Sequence, residues 1–207
     1  MPEELGKIEK PQASQFTNSR KLYFVPLANI WPKAEKDYTE LFEKYWAQVT
    51  EQLAGLEQKL GIAKKLYHEF VTDGGEEGVK IVGQINSRSA GIINEQLKRG
   101  AILEAVEDEA VLHEFMDWSR CLSIGLQSEP ALSTVLQAFS EVSKKRNDQL
   151  ARCIDETLGT EETGVLFMRE GHQIQFAQDI QVIYIAPPAL DEMKRWLRDQ
   201  AAAKKEA

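Results

Sequence analysis

Short apolar runs rich in β-forming residues alternate along this chain with long stretches of helical period, and that alternation limits the folds open to it. Residues 21–28, 65–71, 102–106, 163–169 and 181–185 read as strands. Between them, residues 36–60 carry Tyr38, Leu41, Phe42, Tyr45, Val49, Leu53, Leu56 and Leu60 on one helical stripe, and Gly61 follows as a stop. A helix after Asp73-Gly-Gly breaks at Asn86-Ser-Arg-Ser89 and resumes to Lys98. Two helices follow the third strand, over 108–123 and 128–158, and a last one starts beyond Pro187 and Pro188. The order β-α-β-α-β-α-α-β-β-α predicts an α/β fold: a mainly parallel sheet of about five strands, with helices on both faces. The segment between the last two strands is too short for a crossover helix, which predicts an antiparallel pair and a mixed sheet. Pro26 lacks a ladder donor, so the first strand should end there or lie on an edge.

At 207 residues the chain fits one domain, here residues 21–200, with a loose N-terminal arm over 1–20 and a fraying tail over 201–207. The net charge of -8 argues against binding to nucleic acid or to an anionic membrane, because phosphate binding is largely driven by cations. No apolar run approaches a membrane span, and the N-terminus has no basic start followed by a greasy stretch, so the expected compartment is the cytoplasm. Cys121 and Cys153 both fall in helical segments and read as buried thiols.

In open α/β sheets ligands sit beyond the carboxyl ends of the strands. There the sequence puts His68 and Glu69, then Glu104, Glu107 and Asp108, then Arg169, Glu170, Gly171 and His172. Strand alternation places Glu104 on one face with Ile102 and Val106, where a carboxylate needs a partner. It is either a ligand or base, or half of an ion pair with Arg146 or Arg120. Arg146, with Asn147 beside it, interrupts the apolar stripe Leu132, Val135, Leu136, Phe139, Val142, Leu150, Cys153, Ile154. A guanidinium there should meet a carboxylate, such as Glu104 or Glu107, or a ligand anion. His172 follows a strand behind Gly171, a position suited to acid–base work. His68 shares a face with Leu66 and Phe70 and reads as a satisfied core histidine. Phosphate loops, dinucleotide fingerprints, nucleophile elbows and HExxH strings are all missing, which disfavours a nucleotide-binding domain.

The segments Lys145-Arg-Asn-Asp-Gln-Leu-Ala-Arg-Cys-Ile154 and Gly164-Val-Leu-Phe-Met-Arg-Glu-Gly-His172 resemble the C-terminal half of the TraB/PrgY/Tiki superfamily. The strand Ile102-Leu-Glu-Ala-Val-Glu107 is similar to that family's Glu-bearing strand, and Glu69 resembles another such position. The resemblance covers most of residues 21–185 in order and spacing. It implies two Gly-x-x-His turns at a metal centre and, for some members, metal-dependent hydrolysis. Here the first turn has Asn29 nearby in place of its histidine, and the second reads Arg169-Glu-Gly-His172.

Two functional readings follow. One is a divalent-metal-dependent hydrolase for a small molecule or peptide, with Glu69, Glu104 and His172 as metal ligands and His172, Glu104 and Arg146 as catalytic groups. Arg146, Asn147 and Arg169 would then hold the substrate. The other is a non-catalytic binding or scaffold protein, in which the ionic groups only tie the sheet edge together. Trp196, Leu197 and Met193 on the last helix offer a face for a homodimer.

Overall fold

A computed structural model describes residues 19–206; most of the expected arm, and Ala207, lie outside them. The elements are β1 (Arg20–Pro26), α1 (Lys36–Leu60), β2 (Ala63–His68), α2 (Gly75–Ile85), α3 (Ser87–Lys98) and β3 (Ile102–Leu103). They continue with α4 (Glu109–Ser123), α5 (Glu129–Thr157), β4 (Thr163–Met168), β5 (Ile180–Tyr184) and α6 (Pro188–Glu206). The fold is α/β. No described helix is long and apolar enough to cross a membrane.

The strands form one sheet in the order β3-β2-β4-β1-β5. Every pairing in it is parallel, which corrects the expected mixed sheet. β4 and β5 do not pair with each other; each pairs with β1, on opposite sides. The chain between them therefore crosses over β1 without a helix. Ile174, Phe176 and Ala177 of that crossing pack on Leu22 and Phe24 of β1, so an irregular segment covers the sheet face that a helix would otherwise cover. Pro26 does end β1, which is an interior strand, and Leu27 donates its N–H to the Met168 carbonyl just beyond.

Apolar side chains leave both faces of the sheet. Tyr23, Val25, Leu66, Val165 and Phe167 meet α1, α3 and α6 on one face. Leu22, Phe24, Tyr67, Leu166 and Met168 meet α5 and the β4–β5 crossing on the other. Connections leaving β1 and β2 thus run over the first face, and those leaving β3 and β4 over the second. Neighbours β2 and β4 send their chains to opposite faces, which opens a crevice at their carboxyl ends.

Several boundaries move. β3 stops at Leu103, not 106, and β2 stops at His68. The tail expected from Ala201 is helical to Glu206. Asn86 ends α2 and caps α3, accepting from the Arg88 and Ser89 N–H groups and donating to the Ala28 carbonyl. No residue in the first half of α5 is fully buried: Leu136, placed inward by the stripe, is 48% exposed, and full burial starts at Val142. Trp196 packs its ring 5.0 Å from that of Tyr38, so part of the proposed dimer face is used within the chain.

Candidate functional site

A cleft of about 730 Å³ opens at the carboxyl ends of β2 and β4, between α5 and the start of the β4–β5 crossing. Glu69, Arg146, Asn147, Arg169 and His172, all singled out from sequence, line it together. Its volume lies in the range of small-molecule sites.

Glu69 is the hub. It follows the last residue of β2, and its N–H donates to the Phe167 carbonyl of β4, which fixes it at the sheet edge. Its carboxylate accepts from the Arg169 backbone N–H at 2.9 Å and from Arg169 Nε at 3.0 and 3.1 Å. Arg146 Nη2 reaches it from α5 at 3.1 Å. Burial pushes the Glu69 carboxyl up, but the bonds and charge of Arg169 and the charge of Arg146 outweigh it and hold the group below the ordinary value. Glu69 is thus an anion at neutral pH with both oxygens occupied.

Arg146 is buried and doubly held by Glu107, through Nε at 2.9 Å and through Nη2. Burial lowers the guanidinium's pKa; Glu107 and Glu69 more than reverse that. Of the two partners expected for Arg146, Glu107 is the one it meets. The guanidinium also lies 4.5 Å from the Phe115 ring and 5.3 Å from the Phe70 ring, with Arg169 at 5.1 Å from Phe70. Phe70 therefore contacts both cations. Its φ of +71° is in the left-handed region, which costs a side chain of this size free energy and is tolerated where surroundings enforce it. One enforcing contact is visible: its N–H donates to Glu107 at 3.1 Å.

Two carboxylates, Glu69 and Glu107, thus balance two guanidiniums. Neither Arg146 Nη1 nor Arg169 Nη1 has a protein hydrogen bond among the described residues, and Arg146 Nη1 is not among the buried unpaired atoms. Lys144 lines the cleft exposed and without an ion pair among the described residues. Of the other acids there, Glu170 is held by Lys194 at 2.7 Å and Asp148 is exposed.

His172 is half-buried, its ring 4.8 Å from that of Phe24 and 5.9 Å from that of Phe176. Its Nδ1 accepts from the Ile174 N–H at 3.3 Å, so the proton of the neutral ring sits on Nε2. Burial lowers its pKa and the Glu69 charge only partly offsets that, so the ring is neutral at pH 7.

Glu104 does not line this cleft. With β3 ending at Leu103, its N–H continues the ladder to the Leu66 carbonyl and its carboxylate pairs with Lys65. The expected set Glu69, Glu104 and His172 is therefore not assembled. Among the described residues no group of three or more His, Cys, Asp or Glu side chains is placed to hold a metal ion. His68 is fully buried: Nδ1 donates to the Glu69 carbonyl at 2.7 Å, leaving Nε2 to accept from the Ser89 hydroxyl at 3.0 Å. Cys121 and Cys153 are free and partly exposed, not buried.

Phe70, Phe115 and Lys144 were not candidates from sequence. Nothing in a single sequence marks a left-handed phenylalanine, but Phe115 falls at helical spacing from Val111, Leu112, Trp118 and Leu122, and Lys144 lies three residues before Asn147 on one helix face. No protein-family model, no curated protein and no solved structure matches the chain.

Proposed function

We propose that the chain is a ligand-binding protein whose cleft holds a small molecule through a carboxylate or phosphate group. One observation carries the reading: two guanidiniums that line the cleft are fixed around Glu69, and the Nη1 of each has no hydrogen-bond partner among the described residues. The cation–carboxylate cluster is charge-balanced, so it holds the donors in place before any ligand arrives; Lys144 adds a positive charge without an ion pair among the described residues, and Asp148 lines the same wall one helical turn on. Planar guanidinium donors suit carboxylate and phosphate oxygens. Asn147 and the neutral Nε2–H of His172 add uncharged donors.

Thermal denaturation with acetate, malonate and inorganic phosphate tests this. At least one anion should raise the midpoint in a saturable way, and Lys144→Gln or Arg169→Gln should weaken the effect. Equal responses from both variants and the parent chain, or no response to any anion beyond that of matched chloride, contradict the reading.

The TraB/Tiki-like hydrolase is the second reading, favoured by a neutral imidazole facing the same cleft as a fixed carboxylate. Its metal version requires Glu69 to exchange two guanidiniums for a cation. Titration with Mn, Zn and Mg decides it: one-to-one binding that His172→Ala abolishes supports the metal version, and no binding at micromolar metal removes it.

A further inference from the structure

The cleft is not uniform along its length. On the α5 wall Leu136, Phe139, Ser140, Ser143, Lys144 and Asn147 stand at spacings of three, four, seven, eight and eleven from the first, and Arg146 and Asp148 line the same end as Asn147. Those spacings select one face of a helix. Along that face polarity changes in order: two apolar side chains, two hydroxyls, then an ammonium and an amide. From Leu136 to Asn147 the helix rises roughly 16 Å. The charged hub of Glu69, Arg146 and Arg169 therefore lies at one end and a strip of apolar surface at the other.

The apolar end is built from aromatic side chains, and Leu136 at its edge is exposed among the described residues. Phe115 of α4 and Phe139 of α5 pack with tilted rings, centroids 5.3 Å apart. Phe115 also covers the Arg146 guanidinium at 4.5 Å, so the apolar wall runs without a break into the cationic floor. Leu136, 48% exposed, extends that wall outward. Water gains nothing from contact with this strip, and a ligand reaching from the hub would cover it.

Resting on the anion-binding reading above, we infer that the ligand is an amphiphile: a carboxylate or phosphate head at Arg169, Lys144 and Asn147, joined to an unbranched apolar tail lying along Leu136 and Phe139. The head sits where donors remain unfilled. The tail follows the direction in which this helix face turns apolar within the cleft, since the apolar residues beyond Asn147, Leu150 and Ile154, are in the core. A small hydrophilic anion would leave that strip wet, and an apolar molecule without a head would leave the donors empty.

Calorimetric titration of the whole chain with acetate, octanoate, octyl phosphate and octanol tests the inference. A seated methylene strengthens binding by about fourfold. The cleft is open, so octanoate is expected to bind at least about tenfold more tightly than acetate. Leu136→Ser, an exposed position that can change without unfolding the chain, should erase most of that advantage while leaving acetate binding unchanged. Tighter binding of octyl phosphate than of octanoate also supports the inference and assigns the head to phosphate. Equal affinity for acetate and octanoate overturns the inference and leaves the anion reading standing. Octanol binding as well as octanoate overturns it too, since the head then contributes nothing. Binding by none of the four removes both readings.

Discussion

Arg146 concentrates the energetics of the site in one side chain. It is buried, bonded to Glu107 and Glu69, and packed against two phenyl rings. Removing one partner of a buried ion pair leaves an uncompensated charge in a poorly solvating place, at a cost of about 3–5 kcal/mol. Arg146→Met should therefore lower stability by that amount in urea denaturation. The double change Arg146→Met with Glu107→Leu should recover most of the loss, because no charge is then stranded. A loss that adds across the two sites would mean the pair is not coupled. The sequence made Arg146 legible because it broke an apolar stripe. It pointed to Glu104 for a different reason: alternation was carried through Val106, whereas the strand ends at Leu103 and the carboxylate is taken by Lys65.

At the scale of elements, backbone space separates glycines that look alike in sequence. Gly55 lies inside α1 with nothing within 4 Å of an added Cβ. Gly78 lies inside α2, where a Cβ would stand 2.1 Å from the Asp73 carbonyl oxygen. Gly55→Ala should stabilise the chain by up to about 1 kcal/mol through helix propensity. Gly78→Ala should destabilise it, since the Asp73-Gly-Gly turn must move. Asn86→Ala should cost about 1–2 kcal/mol, losing the cap of α3 and the tie to Ala28. Thermal or urea midpoints of the three variants check these signs. Helices and strands were largely legible from period. The direction of β5 was not: a short connector usually means a hairpin, and only packing reveals that Ile174 and Phe176 let this one cross a strand without a helix.

The whole molecule should be acid-sensitive before its carboxylates titrate. Burial holds the His68 ring down at about 4, against an ordinary 6.5. A histidine held low in the folded state is neutral there and protonates in the unfolded chain first. Its contribution is thus complete above about pH 6.5 and is lost as the pH falls toward 4, by up to about 3 kcal/mol. His172 shifts in the same direction. Glu69, held below its ordinary value, loses stabilisation only at lower pH still. Urea midpoints should be flat from pH 8 to 7 and fall between 6.5 and 4, with a shallower fall in His68→Gln. The layered α/β architecture, with a cleft beyond the strand ends, followed from element order alone. The cleft's walls did not, because the exposed half of α5 reads as core in sequence and becomes a cleft wall only once α4 is packed beside it.

Backbone amide NMR spectra recorded while acetate and phosphate are titrated into the full chain test the central claim most directly. Saturable shifts should concentrate at residues 143–147 and 168–173, with Phe70 moving alongside them. Shifts scattered over the surface without saturation, or concentrated away from the ends of β2 and β4, would contradict it.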